Sequence, residues 1–223
     1  MPAMEKLSYD PVKDFSHIAV IGITPMVLAV HPGVASSLQE FVSRVRANPG
    51  KYSYGTTGAG GLVYLAGELL KKQAGGLDIA DVAYKGSGQS YQDLMAGHIP
   101  AVIASISVML PNHRSGKVRM LAVLTEKRVS SAPDIPTAVE QGFPGVLAYT
   151  FNILCAPANT PKPVIDRLNA EFVKALRDAQ NAQKLEAQGL SIIADSPEHF
   201  ASYVAAESQK WRKVVTASGA KAD

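Results

Sequence analysis

Apolar and polar positions change period repeatedly along the chain, and each change marks an element. Residues 18–30 form an almost unbroken apolar run closed by His31-Pro32-Gly33, which predicts a strand bent at Pro25. Leu38, Phe41, Val42 and Val45 then recur at helical spacing behind the capping box Ser37-x-x-Glu40, and Asn48-Pro49-Gly50 ends that helix. Residues 52–55 are too short and too aromatic for a helix and read as a strand, whereas Leu62, Leu65, Ala66, Leu69 and Leu70 fall on one helix face. Further strands are expected at 79–84, 99–104 and 119–124. Between them lie a helix carrying Tyr91, Leu94 and Met95 and capped by Gly97, and a short helix through Leu110. Strand and helix alternate to this point, the pattern of parallel βαβ units in an open α/β sheet.

The later part reads differently. Pro133, Pro136 and Pro144 make 125–146 an irregular connection with a short helix at 137–141, after which a strand at 149–156 returns. Helices follow at 164–176 and 181–188, then a short strand at 191–194. Ser196 and Pro197 start a last helix, whose stripe of Phe200, Tyr203, Val204, Trp211, Val214 and Val215 is a packing face.

The stretch that organises the rest is 52–70, YSYGTTGAGGLVYLAGELL. Gly55, Gly58, Gly60 and Gly61 separate strand from helix, Thr56 and Thr57 stand beside the helix start, and the first N–H groups of a helix have no partner of their own. A carboxylate or phosphate suits such a place, and a tight turn with no ligand suits it equally. The stretch is not a P-loop, because no Gly-Lys-Ser/Thr follows, and Val63 breaks G-x-G-x-x-G. Ligands of open α/β sheets sit beyond the carboxyl ends of the strands, and three loops of small and hydroxyl residues are expected there: 56–61, 85–88 and 105–107. Lys85 is the one cation near them, and a solvated loop lysine also fits it.

Composition removes several function classes. A chain of 223 residues, 47% hydrophobic, buries a real core as one large domain or two small lobes. The formal charge of +3 comes from dispersed basic residues, so no nucleic-acid partner is expected. No apolar run is long enough to span a bilayer, so direct membrane insertion is not expected either. The single cysteine, Cys155, lies in an apolar run and reads as an inert core thiol. The five histidines have no metal-binding spacing, there is no Gly-x-Ser-x-Gly elbow, and Glu68 and Asp93 read as helix-surface groups. No metal, cofactor or catalytic residue is expected, and the chain does not read as an enzyme.

Six blocks in order carry a family resemblance: LSYDPVKDF (7–15), ANPGKYSYGTTGAGG…LAGELL (47–70), YKGSGQSYQDLMAGHI (84–99), SGKVRMLAV (115–123), DIPTAVEQGFPG (134–145) and APANTPKPVIDRLNAE (156–171). Together they resemble the Bug family, the tripartite tricarboxylate transporter receptors of the TctC type. The resemblance implies an α/β fold of the periplasmic binding protein type II kind, two lobes joined by crossing strands. It divides the chain into 1–24 as a remnant of the first lobe, 25–148 as the second, ligand-binding lobe, and 149–223 as the returning part of the first. It implies a periplasmic location and a small organic carboxylate as ligand: a di- or tricarboxylate, an acidic amino acid or an aromatic acid. The partners it implies are the integral membrane subunits of a tripartite transporter, and lobe closure is the binding motion. The candidate ligand-binding residues are Thr56, Thr57, Gly58, Ala59, Lys85, Ser87 and Ser105, with Phe151 on the returning strand.

This chain also departs from the family. Family members begin with a signal peptide and strand–helix units, whereas the first matching block here starts at Leu7, so the first lobe is expected to be incomplete at its N-terminus and to self-associate. Pro100 and Asn152 stand where the family commonly has aspartate and glycine, and Pro100 is expected to bear on ligand specificity. Alternative readings are a ligand-sensing module that signals occupancy to a partner protein, or a non-functional truncated fragment.

Overall fold

The computed structural model describes residues 8–10, 13–58 and 61–218. By contact the described chain divides into two units, one running to Thr24 and resuming at Thr150–Ala217, the other Pro25–Tyr149.

The second unit is built on strands β1 (Phe15–Val30, of which residues 26–30 pair here), β2 (Ser53–Thr56), β3 (Ala80–Ala83), β4 (Ala101–Ser105) and β5 (Arg119–Val123), in the order β3-β2-β4-β1-β5. β2 pairs parallel with β3 and β4, while β1 runs antiparallel to β4 and β5. The expected parallel units are β2, β3 and β4, and β1 departs from them. β1 enters from the other unit as a crossing strand, so its direction is set by the crossing and not by a βα crossover. Helices α1 (Leu38–Arg46), α2 (Leu62–Gln73), α3 (Ser87–Ala96) and α4 (Ile106–Arg114) connect these strands. Val27, Ala29, Leu94, Val102, Ala104, Ile106 and Met109 form the centre of one buried cluster, with Tyr84, Tyr91 and Met95 packed against it.

α1 starts as the capping box requires, with the Ser37 hydroxyl accepting the Glu40 N–H at 3.1 Å. Two contacts no local pattern announces fix its neighbours. Buried Gln141 accepts the Leu38 N–H at 2.9 Å and donates to the Leu121 carbonyl at 2.8 Å, tying the start of α1 to β5. Gly67 on α2 faces the Tyr54 ring so closely that a Cβ there would lie 2.1 Å from the phenol oxygen. The expected helix at 137–141 is a turn instead. Thr137 and Glu140 do exchange capping-box bonds, at 2.7 and 3.0 Å, but Gly142 at φ +90° and Pro144 stop any helix behind them.

The first unit holds residues 15–24 of β1, flanked by β6 (Tyr149–Pro157) and the two-residue β7 (Ser191–Ile192). α5 (Lys162–Arg177), α6 (Ala179–Ala187) and α7 (Pro197–Ser218) complete it. α5 and α6 are separate helices because Asp178 turns extended and caps α6, accepting the N–H groups of Gln180 and Asn181 at 3.1 Å. On α7, Trp211 and Val215 are buried as the stripe predicts, and the Trp211 indole donates to Glu207 at 2.9 Å. The Phe200 and Tyr203 side chains lie outside the described residues. Asn169 joins helix to sheet by donating to the carbonyls of Ile18 and Asp195, at 2.8 and 2.9 Å.

Candidate functional site

β2, β3 and β4 lie side by side and run the same way, so their carboxyl ends, Thr56, Ala83 and Ser105, share one edge of the second unit. Strand spacing of about 4.8 Å gathers the three ends within roughly 10 Å. From this edge α2, α3 and α4 begin. Gly61, Gly86 and Ser105 stand at their N-caps, none makes a side-chain capping bond, and none of the three first turns holds an acidic residue. Three positive helix ends thus point from one edge with no carboxylate in their own first turns.

The hydroxyls divide into two roles. Thr56 is 1% exposed and its oxygen accepts the Gly58 N–H at 3.3 Å, so it shapes the turn from inside. Thr57 is exposed, and its hydroxyl lies 3.1 Å from where a Cβ on Gly61 would stand, beside the start of α2. Gly58 adopts φ +104°, a conformation that favours glycine. Ala59 lies outside the described residues. Lys85 and Ser87 are exposed in the next loop, and the Ser87 carbonyl accepts from buried Ser90 at 2.8 Å. Ser105 pairs its hydroxyl with that of Ser107 at 2.7 Å. Thr57, Gly58, Lys85, Ser87 and Ser105 therefore share this edge, whereas Phe151 belongs to β6 of the other unit.

Two residues singled out in the sequence take their places. Pro100 precedes β4, a strand length of roughly 16 Å from Ser105, and its carbonyl accepts the His31 N–H at 3.1 Å. It lies at the edge of the sheet opposite the three loops. Asp93 is more than a helix-surface group: it accepts the Tyr84 hydroxyl at 2.8 Å and lies 3.3 Å from the His98 ring, and these bonds hold its carboxyl below the usual range. Sequence reasoning placed Ser107 in a candidate loop and Asp93 on a helix surface but gave Tyr84 no part in the site, because Tyr84 and Asp93 meet only through folding.

Among the described residues the edge offers N–H groups, hydroxyls and the Lys85 ammonium, groups of the kind that can hold an anion. Cys155, half-buried on β6, has its thiol pKa raised by burial, away from nucleophilic use. Among the described residues no group of three or more His, Cys, Asp or Glu side chains could hold a metal ion, and no helix is long and apolar enough to cross a membrane.

The model of the tripartite tricarboxylate transporter family receptors, TctC, matches residues 1–220. Protein BugT of Bordetella pertussis is 30% identical over 219 residues, 98% of this chain and 67% of the relative. The chain spans about two thirds of the length of the curated relatives it matches. Among solved structures, a periplasmic transporter shares 33% identity at a TM-score of 0.85, covering 100% of this chain and 75% of that one. Rpa4515 of Rhodopseudomonas palustris, solved with adipate, shares 31% identity at 0.84 over 98% of this chain and 73% of its own. MatC from the same organism, with bound malate, shares 29% at 0.78 over 96% and 74%.

Proposed function

Because this chain belongs to the tripartite tricarboxylate transporter receptor family, of the Bug or TctC type, we propose that it binds a small organic carboxylate and delivers it to the membrane subunits of such a transporter. The family is one of receptors and not of enzymes. The observation that carries the proposal is the shared edge of β2, β3 and β4, where three helices begin without a side-chain cap and Thr57, Ser87, Ser105 and Lys85 stand beside them. A carboxylate there gains charge-assisted hydrogen bonds from N–H and hydroxyl groups. Two neighbours of the same family type carry dicarboxylates, adipate and malate, which supports this ligand class over a phosphate. An extracytoplasmic location and closure of two lobes over the ligand follow from membership as parts of the same proposal.

The test is calorimetric titration of the chain with adipate, malate, a tricarboxylate, glutamate and benzoate, repeated on Thr57→Ala. Saturable binding of at least one acid, weakened roughly tenfold or more by loss of the hydroxyl, is the expected result. Binding that ignores Thr57→Ala would move the site elsewhere, and binding of inorganic phosphate in preference to every acid would remove the carboxylate reading.

A further inference from the structure

Tyr84 is held at three points. Its N–H, one residue past the end of β3, donates to the carbonyl of Thr56, the last residue of β2, at 2.9 Å. Its ring covers Gly55, where a Cβ would stand 3.4 Å from the ring edge and 2.8 Å from Ser90 Cβ. Its hydroxyl donates to Asp93 at 2.8 Å. Asp93 lies in the last turns of α3, where its carboxylate also meets His98 and its carbonyl accepts the His98 N–H at 2.8 Å. One carboxylate thus connects Tyr84, three residues before α3, to His98, two residues after it. Lys85, the cap Gly86 and Ser87 come immediately after Tyr84, so the point from which they leave the sheet is set by this arrangement.

We infer that Tyr84 and Asp93 are positioning residues of the anion-binding edge, fixing the 85–87 turn and the start of α3 in register with the end of β2. The inference rests on the carboxylate-binding reading above. Neither side chain touches the ligand; they act through the placement of Lys85 and the free N–H groups of α3. A hydroxyl bonded to an ionised acceptor is directional and stronger than a neutral pair, which suits it to holding a loop that the surrounding glycines leave free to move.

The experiment compares Tyr84→Phe, Asp93→Ala, Asp93→Asn and the Tyr84→Phe/Asp93→Ala double variant with the parent chain. Hydrogen–deuterium exchange without ligand is expected to speed up in the 85–88 segment of Tyr84→Phe and Asp93→Ala while the β4 and β5 amides stay protected. Titration with adipate and malate is expected to show roughly three- to tenfold weaker binding in each, no further loss in the double variant, and recovery in Asp93→Asn, whose amide oxygen still accepts the phenol. Unchanged exchange in 85–88 overturns the inference, whatever the binding result. Faster exchange with unchanged affinity also overturns it, since the contact would then be structural alone. Thr57→Ala run alongside separates the two readings: if it weakens binding and Tyr84→Phe does not, the carboxylate site stands and the positioning role falls.

Discussion

The two units of this chain bury their apolar residues to different degrees. In the second, every β4 residue but Ser105 is buried, and Phe41, Leu65, Leu94 and Met109 are almost fully enclosed. In the first, one cluster among the described residues joins Ile18, Ala19 and Ile165 with half-buried Leu154, Ala156 and Leu168 around it, and Val20, Leu176, Trp211 and Val215 are also buried. Among the described residues, six of the eight exposed large hydrophobics, Tyr9, Phe15, Ile153, Val164, Phe172 and Ile193, belong to the first unit. α5 is an example. Ile165, Phe172 and Leu176 share one helix face, and Ile165 and Leu176 are buried while Phe172 between them stays 38% exposed. The difference teaches that helices lying over five paired strands enclose their apolar faces more fully than helices packed on the three strands described in the first unit, one of them two residues long.

The sharpest way to break this comparison is to cut side chains in both units. Phe41→Ala should cost about 3–5 kcal/mol through the cavity it leaves, whereas Phe172→Ser should stay within about 0.5 kcal/mol and lower self-association. Urea melts and light scattering check both, and a large loss at Phe172 would show the first unit to be as tightly packed as the second. Next in size is Gly67→Ala, where a Cβ would meet the Tyr54 phenol; overpacking should cost about 1–3 kcal/mol, read from the same melts.

A smaller effect with two signs distinguishes core from site within the second unit. Gly88, near the start of α3, has neither a positive φ nor any atom within 4 Å of where its Cβ would stand. Gly88→Ala should therefore raise stability by about 0.5–1 kcal/mol and, on the proposed site, weaken carboxylate binding, because the new methyl group would stand in the open space at the start of α3. Stability and affinity rising together would remove α3 from the site.

The smallest effect is acid-dependent. Hydrogen bonds from Ser36, then Arg44, lower the Glu40 carboxyl from 4.5 to about 2 in the folded chain. A depressed carboxylate pKa stabilises above its unfolded value, and that contribution fades as pH falls from about 4.5 to about 2. Hydrogen exchange of α1 across that window should show its first turn loosening in the parent chain and no pH dependence in Glu40→Gln.

The sequence by itself determined the order of strands and helices in the second unit, the capping box of α1, the three small-residue loops and the family. These are local or linear properties: period, cap and turn residues, and blocks in order. It misjudged 137–141, where the cap is present but Gly142 and Pro144 leave no helix to cap. Tertiary structure alone decided that β1 runs against its neighbours, that Thr56 faces inward while Thr57 faces out, that Pro100 is remote from the loops, and that Asp93 reaches Tyr84. Each depends on residues distant in sequence or on which way a side chain turns at the end of a strand. Those follow from packing the whole sheet, since a residue's own propensity is compatible with either outcome.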